Sequence, residues 1–325
     1  MAALAQAKGD ALAAREAALV RPDGGKWISE ARNEAAARLA AMGLPGPRDE
    51  YWRFTKPASL NTPAPAGAAV FDTGDEAPVF GAVDRLKIVF VDGVFSPDDS
   101  DPLEAAGVEI ERLAEAGSKD IHWARDVFGV LEARGQTPVA RPFAALNTAY
   151  ASDGVVIRVT GKAARPISLI YRHENEASDA LLHHVVKLEP GADLTLLENG
   201  PAAARLNKVL EVEVGDGAAF HHVRPQGRDH ERQAITHVFA RLGTASTFKS
   251  FTLTVNGRLT RNECVVEMLG DNAVAHIAGA AMGDGGQDPF HHDDTVFVTH
   301  DGLDCESRPV FKKVLRNGAV GACQG

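Results

Sequence analysis

Histidine is the residue type most able to do chemistry in this chain, which contains twelve of them. Adjacent pairs occur at His183-His184, His221-His222 and His291-His292. Because neighbouring residues of a β-strand point to opposite faces, a pair on a strand can offer each face only one ligand. We therefore expect these histidines to be exposed or hydrogen-bonded rather than to bind one ion in pairs.

The segment that begins near His292 is the strongest candidate for a metal site. His292 and Asp294 form a His-x-Asp pattern, which is part of the facial triad of non-haem iron proteins. His300 and Cys305 add an imidazole and a thiolate, which suit zinc or iron. On one straight strand, His292 and His300 would lie about 26 Å apart, so sharing an ion requires a turn between them. The polar run 283–289 is consistent with a loop at the adjacent histidine pair. We take these four residues as candidate ligands, with a structural or interface role as the favoured alternative.

Other common active-site patterns do not occur in the sequence. It has no GxxxxGK[ST] loop for ATP phosphates and no GxSxG nucleophile elbow. There are 34 Lys and Arg against 44 Asp and Glu, a formal net charge of −10. This balance argues against a nucleic-acid backbone or an anionic membrane as the partner. We predict no catalytic residue and no cofactor bound stably by this chain alone.

Four glycines mark a repeat in the second half of the chain. Gly191, Gly215, Gly243 and Gly270 are spaced by 24, 28 and 27 residues. Each lies between two stretches in which apolar and polar residues alternate, the pattern of half-buried strands. The apolar residues three and five positions before the first three glycines are Leu188 and Val186, Val212 and Leu210, and Ala240 and Val238. In the fourth unit Glu267 would stand at this inward position.

A strand-rich repeat of this length is typical of a stacked architecture. No single unit could bury its apolar face alone, so neighbouring units must stack to form a continuous core. We therefore predict a mainly β fold in which residues 150–325 form a parallel β-helix. The residues from Val314 onward read as strand and turn without a cap. Because solenoid ends need caps, we expect that the natural protein continues past Gly325 or that a partner covers this edge.

The same alignment on the glycines predicts an outward column of side chains. Leu197, His221, Lys249 and His276 each lie six positions after a glycine. Neighbouring rungs stack about 4.8 Å apart, so His221 and His276 would be separated by about 10 Å, too far for one metal ion. We predict a column that faces solvent or a partner.

The first half of the chain has a different character. We predict an N-terminal helical region at 1–60, with helices at 2–20 and 28–42. A mixed α/β cap at 61–149 then precedes the β-helix core. Within this cap we expect a buried strand at 86–91 and helices at 118–134, N-capped by Ser118, and at 142–150.

Cysteine use and terminal composition suggest the compartment. Cys264, Cys305 and Cys323 form no CxxC pair, and such a sparse, odd count suits a reducing environment. The first twenty residues carry charges throughout and lack the apolar stretch of a signal peptide. No run approaches the length of a transmembrane helix. We expect a soluble, cytoplasmic protein.

Three segments resemble the SufB/SufD family of the SUF system for iron–sulfur cluster assembly. Residues 43–60 (GLPGPRDEYWRFTKPASL) resemble the GLP-x-x-x-DE-x-W-x-(Y/F)-T entry segment of the SufD branch. Residues 142–149 (PFAALNTA) match the FAALN segment of the same branch. Residues 292–325 resemble the core shared by both branches, with two histidines, acidic residues, Ser307 and a Lys-Lys pair at 312–313.

The resemblance implies a right-handed parallel β-helix behind an N-terminal helical region. It further implies a non-catalytic scaffold subunit that pairs with a SufB-like sister through the β-helices and binds a SufC-like ATPase. In such proteins a C-terminal helical domain contacts the ATPase, and a Cys-x-His segment near the sister subunit is implicated in building the cluster. Both would lie beyond Gly325. A transient iron–sulfur cluster is then expected only in the assembled complex.

A second hypothesis is a metal-dependent enzyme on a β-helical or cupin-like scaffold. It would use His292, Asp294 and a further histidine as ligands. Stoichiometric iron or zinc in the isolated chain would favour it over the scaffold hypothesis.

Overall fold

The chain folds as a parallel β-solenoid preceded by a helical and mixed α/β region, which confirms the predicted fold class. The computed structural model describes residues 2–72, 77–200, 202–227 and 229–325. Within these ranges the helices are α1 (Ala2–Glu16), α2 (Lys26–Met42), α3 (Leu113–Ser118), α4 (Val130–Arg134) and α5 (Pro142–Tyr150). Short 3-10 turns occupy Glu50–Trp52 and Trp123–Asp126. None of the helices in these ranges is both long and apolar enough to cross a membrane.

The predicted helix at 118–134 is wrong. Ser118 ends α3 instead of capping a new helix, and Ile121 is 80% exposed rather than on a buried face. The chain passes through a 3-10 turn and starts α4 only after Gly129, whose φ of 72° lies in the left-handed region. The other helices expected from the sequence are present, with ends shifted by a few residues.

Two sheets form the solenoid, and the chain alternates between them. Sheet A contains β1 (Leu86–Val91), β2 (Val94–Phe95), β6 (Ile167–Arg172), β8 (Asp193–Asn199), β10 (Ala219–Gly227), β12 (Thr247–Val255), β14 (Val274–Asp284) and β16 (Glu306–Arg316). Sheet B contains β3 (Glu104–Ala105), β4 (Val108–Arg112), β5 (Val155–Val159), β7 (Asp179–Leu188), β9 (Arg205–Val214), β11 (Gln233–Leu242), β13 (Leu259–Met268), β15 (His291–His300) and β17 (Val320–Gln324). The stacked rungs pair in parallel, whereas β2, β3 and β4 pair antiparallel at one end. The predicted strand at 86–91 is β1, which pairs with β6.

The rungs of sheet B fix which residues face the interior. Val186, Val212, Ala240 and Val266 are register partners on successive strands and all lie in the buried aliphatic core. The inward position in the fourth unit therefore belongs to Val266, and the prediction for Glu267 is wrong. Glu267 points outward, where its Oε2 accepts a hydrogen bond of 2.7 Å from Arg134 Nε.

Alignment on the glycines gives the wrong strand register for two of the four units. Gly215 and Gly243 directly follow the register partners Val214 and Leu242, but Gly191 lies two positions later and Gly270 one position later than that pattern. A shift of two residues preserves the face of every side chain, whereas a shift of one reverses it. The inward residues predicted for the first unit are therefore correct, whereas the inward residue predicted for the fourth unit is wrong.

The same two-residue shift corrects the outward column on sheet A. Thr195, rather than Leu197, is the register partner of His221. The remaining members are confirmed, because His221 pairs with Lys249 and Lys249 with His276.

Helices cover the outer face of sheet B. Residues of α2, α3 and α4 and the segment before α4 bury outward side chains such as Val185, Phe239 and Val265. α5 packs against β7, β9 and β11. A second apolar cluster joins α1 and the 3-10 turn at Trp52 to α5. The N-terminal region is therefore docked along one side of the solenoid rather than only on its end.

The two segments that resemble the SufD branch form this attachment. Trp52 lies under the guanidinium of Arg261, with 4.3 Å from Cζ to the ring centroid. Thr55 Oγ1 donates a hydrogen bond of 2.5 Å to Asp293 Oδ2. From α5, Asn147 Nδ2 donates to the carbonyl oxygens of Leu182 and Asn207, at 3.1 and 2.9 Å. Both motifs thus act through contacts with sheet B.

The register predicts the effect of placing a charge in the aliphatic column. Val212→Asp would bury a carboxylate among aliphatic side chains, since Val212 is fully buried. We expect the free energy of unfolding, measured by urea denaturation, to fall by more than about 3 kcal/mol. Glu213→Asp, one residue along and facing outward, is the matched control and should change stability little. Equal stability of the two variants would contradict the register.

Candidate functional site

Inward-facing polar residues form a continuous column inside the solenoid, beside the aliphatic core. On sheet B, Lys208, Thr236, Asn262 and Asp294 are register partners on successive strands. We call the full set the internal polar column: Tyr171, His184, Glu198, Lys208, His222, Arg224, Gln226, Thr236, Ser250, Thr254, Asn262, His292, Asp294 and Lys313. Alternation with period two places each of these side chains between the sheets.

Glu198 is the centre of one end of the column. Its Oε2 accepts a hydrogen bond of 2.8 Å from the Tyr171 hydroxyl and a second from Lys208 Nζ. Its Oε1 lies 2.8 Å from His222 Nε2. At most 1% of the Lys208 and Glu198 side chains is exposed, so this ion pair is shielded from water.

The pKa values of Lys208 and Glu198 are set by burial together with the ion pair. Burial lowers the pKa of Lys208 to about 8, against the opposing attraction of Glu198. Burial alone would raise the pKa of Glu198, but Lys208, His222 and Arg224 bring it well below its usual value. At neutral pH the pair is therefore a carboxylate that faces an ammonium group.

The histidines beside this pair are neutral and have defined tautomers. Burial lowers the pKa of His184 to about 3. The backbone N–H of Val155 donates to His184 Nδ1 at 3.1 Å, so the ring proton lies on Nε2, which donates to the Tyr171 hydroxyl at 3.0 Å. Burial likewise lowers the pKa of His222. These groups form one hydrogen-bonded network around a single ion pair.

Arg224 and Asn262 connect the middle of the column. Arg224 donates to Thr236 Oγ1 at 2.9 Å and to Asn262 Oδ1 at 3.1 Å. Gln226 Nε2 donates to the same Asn262 oxygen at 3.0 Å and to Thr254 Oγ1 at 2.9 Å. One amide oxygen thus joins residues of both sheets.

The far end of the column contains two of the candidate metal ligands. His292 Nδ1 lies 3.5 Å from Asp294 Oδ2. The ammonium of Lys313 lies between them, 3.0 Å from His292 Nδ1 and 2.9 Å from Asp294 Oδ2. Burial and the positive charge of Lys313 hold the pKa of His292 well below its usual value. A metal ion at this position would have to displace Lys313.

The other two candidate ligands lie elsewhere. His300 is at the opposite end of β15, about 26 Å along the strand from His292, and its Nε2 lies 2.9 Å from Ser307 Oγ. The Cys305 thiol donates to the carbonyl oxygen of Gly270 at 3.3 Å. The structure thus brings together His292 and Asp294 but not all four. In the described part of the chain, no group of three or more His, Cys, Asp or Glu residues is arranged to hold a metal ion. Metal binding at these residues stays a prediction.

The adjacent histidine pairs behave as the strand alternation requires. His184, His222 and His292 point inward, whereas His183 and His291 point outward to other partners. The suggested loop at His291 and His292 is wrong, because both residues begin β15. Eight further register pairs with β13, from Asp293 to His300, continue the strand without a turn.

A second buried charge network lies outside sheet B, under the N-terminal region. Glu263 Oε2 accepts from Arg141 Nε and its Oε1 from Arg261 Nε, both at 2.8 Å. Arg261 also donates to Asp293 Oδ2 at 2.5 Å. Burial would raise the pKa of Glu263, but Arg261, His237 and Arg141 lower it to about 2. This network holds the N-terminal segments against β13 and β15.

A carboxylate belonging to Glu211 completes this outer network. Its two oxygens accept the backbone N–H groups of Gly129 and Glu132 at 2.7 and 2.8 Å, at the start of α4. His183 Nε2 lies 2.8 Å from the same carboxylate. Glu211 therefore satisfies the free N–H groups at the N-terminus of this helix.

Sequence reasoning missed most of the internal polar column. The signal available was parity, because Lys208 lies two positions before Leu210 and therefore on the same face as that apolar residue. Parity with Leu196 likewise places Glu198 inward, but the pairing of Glu198 with Lys208 could not be found in this way, since the two residues lie on different sheets.

Removing one member of the buried ion pair should be more damaging than removing both. We expect Lys208→Met to lower the free energy of unfolding by about 3–5 kcal/mol, because Glu198 would remain charged and buried without its partner. Lys208→Met combined with Glu198→Gln should recover part of that loss. Urea denaturation of the two single variants and the double variant measures the coupling. Strictly additive losses would show that the pair does not interact as described.

The depressed pKa of Glu263 predicts a pH dependence of stability. The folded state holds this carboxyl near a pKa of about 2, so the unfolded chain binds its proton first as the pH falls. The stabilisation that the ionised Glu263 gives the folded state is complete above about pH 4.3 and is lost progressively towards about pH 2. In Glu263→Gln, the free energy of unfolding measured by urea denaturation should fall less steeply between these pH values. Glu115→Gln, at an exposed position, is the control and should retain the wild-type slope.

Comparison with known proteins finds one family and one relative to which this chain is similar. Residues 171–325 match the family described as SUF system FeS cluster assembly, SufBD core domain. The matched range begins at Tyr171 and contains every member of the internal polar column. The chain is also similar to the iron–sulfur cluster assembly protein SufD of Escherichia coli (strain K12), with 21% identity over 298 residues. The aligned region covers 86% of this chain and 64% of that protein, so the chain spans less than two thirds of that relative. Over residues 171–325 the chain is therefore similar to the SufBD core domain of the SUF system, and over 298 residues it is similar to SufD.

Proposed function

We propose that the chain is a non-catalytic scaffold subunit in SUF iron–sulfur cluster assembly. The observation that carries the proposal is the match of residues 171–325, which form most of the solenoid, to the SufBD core domain. The similarity to SufD extends over most of the chain and supports the same role. In this proposal the nascent cluster is cargo of the assembled complex, and the partners are a SufB-like subunit and a SufC-like ATPase.

The state of the buried charges supports a scaffold rather than an enzyme. Lys208 is paired with Glu198, and Lys313 with Asp294, inside the solenoid. The most exposed of these four side chains is Lys313, at 13%. A substrate would have to break an existing ion pair to reach any of them, which is costly for the charge left behind. The column is better suited to holding two sheets together than to acid–base chemistry on a ligand.

The arrangement of the first rungs supports pairing through the other end of the solenoid. β2 and β3 add to their sheets in antiparallel orientation, so they close the stack at the β1 and β4 end. Such caps oppose the addition of further strands. We therefore place the contact with a SufB-like sister at the rungs formed by β14 to β17.

Co-purification tests the proposal with the full chain. We expect the chain, co-expressed with a SufB-like subunit and a SufC-like ATPase, to elute from size exclusion as one complex of defined mass. Val320→Glu, at an exposed position of β17, should weaken pairing with the SufB-like subunit by about tenfold. Val94→Glu, at an exposed position of β2 at the opposite end, is the matched control and should pair normally. A lone monomer that ignores both partners would overturn the scaffold role. Equal effects of the two variants would overturn only its placement.

A further inference from the structure

The outer faces of the two sheets differ in how they are covered. On sheet B, the outward apolar residues Val185, Phe239 and Val265 are buried under helices. On sheet A, Val223, Phe251, Ala278 and Val310 are register partners across β10, β12, β14 and β16. We call these four residues the bare stripe. Phe251 is 41% and Val310 43% exposed, so this apolar column remains in contact with solvent.

Further apolar side chains extend the bare stripe. Met282 and Val314 are register partners four residues further along β14 and β16, and they are 52% and 58% exposed. Leu253 of β12 lies between the two columns. Contiguous exposed apolar surface of this kind marks interaction sites more often than singly scattered residues do.

A column of basic side chains borders the bare stripe, and we call it the cationic column after its charged members Lys249 and Arg308. His221, Lys249, His276 and Arg308 are register partners on the same four strands, two residues before each member of the stripe. Neighbouring rungs stack about 4.8 Å apart, so the two charged members, Lys249 and Arg308, lie two rungs or about 10 Å apart. This concentration of basic residues contrasts with the formal net charge of −10 of the whole chain.

The cationic column is only partly neutralised. Glu306 Oε1 lies 3.1 Å from His276 Nε2 and 3.4 Å from an Arg308 guanidinium nitrogen. Lys249 contacts no carboxylate within the residues that the structure describes, and its side chain is exposed. An anionic group laid along this column would be attracted to Lys249 and Arg308.

We propose that the outer face of sheet A is a docking site for an acidic amphipathic helix of a partner protein. The helix would lay its apolar side on the bare stripe and its carboxylates along the cationic column. This inference goes beyond the scaffold role, which requires no occupant of this face. The complementary charge selects an acidic partner.

The fold itself supports a helix as the occupant. This chain covers the outer face of sheet B with its own helices, and α5 lies across β7, β9 and β11. Packing a helix on a sheet is the usual way to bury one apolar sheet face. Four strands span about 15 Å, which corresponds to about ten residues of helix.

Protein is favoured over nucleic acid as the partner. Platforms that bind single-stranded nucleic acid stack successive bases on several aromatic side chains. The bare stripe contains one aromatic residue, Phe251, among aliphatic neighbours.

A synthetic peptide tests the proposal on the full chain. The probe is a fluorescein-labelled amphipathic helix with leucines on one face and glutamates beside them, compared with the same peptide carrying lysines in place of the glutamates. Fluorescence anisotropy should show saturable binding of the glutamate peptide only. Phe251→Ser and Lys249→Glu should each weaken this binding by about tenfold. Lys249→Glu should also improve binding of the lysine peptide.

Two controls keep the result decisive. Lys26→Glu makes the same charge change at an exposed position of α2 and should leave binding unchanged. Circular dichroism should show that all variants remain folded. Equal binding of both peptides, the absence of saturable binding, or insensitivity to Phe251→Ser would overturn the proposal. Binding of poly(dT) that is lost in the same variants would overturn it in favour of nucleic acid.

Discussion

The constraint on which this structure depends is the direct stacking of side chains in parallel, in-register rungs. Each residue lies about 4.8 Å from its register partners and on the same face. A column must therefore be chemically compatible along its whole length. Two ion pairs inside the solenoid consequently form between facing sheets: β8 supplies Glu198 to Lys208 of β9, and β16 supplies Lys313 to Asp294 of β15.

The internal polar column has a role that the aliphatic columns cannot fill. A slip of two residues between neighbouring strands leaves every aliphatic side chain facing inward, so hydrophobic burial hardly opposes it. The same slip would move Lys208 away from Glu198 and leave two buried charges without partners. Because an unpaired buried charge is costly, the ion pair penalises the misalignment that the aliphatic core tolerates. Its contribution to net stability is small compared with apolar packing, but its contribution to a single register is large.

Much of the fold could be predicted because alternation is local. The inward residues Val186 and Val212, the opposite faces of each histidine pair and the helix at α5 all follow from neighbouring residues. The register of the rungs could not be predicted in this way, since it depends on the number of residues in each turn. Relative to the register, Gly270 lies one residue later than Gly215 and Gly243. That single residue led to the assignment of Glu267 to the wrong face. The candidate site was harder to predict than the register, because Lys313 contacts His292 and Asp294 from a different sheet.

The attachment of Trp52 and Thr55 to sheet B has a consequence for how the chain acquires its structure. A solenoid built only from neighbouring rungs would have low contact order and could form progressively from its first rung. Thr55 instead bonds His291 and Asp293, which are 236 and 238 residues away along the chain. During synthesis the hydrogen bonds of Thr55 have no partner until β15 has emerged from the ribosome, although Trp52 can pack on Phe143 of α5 much earlier. The segment is thus fixed in two stages, since α5 can hold Trp52 early in translation whereas Thr55 acquires its partners only after β15 is synthesised.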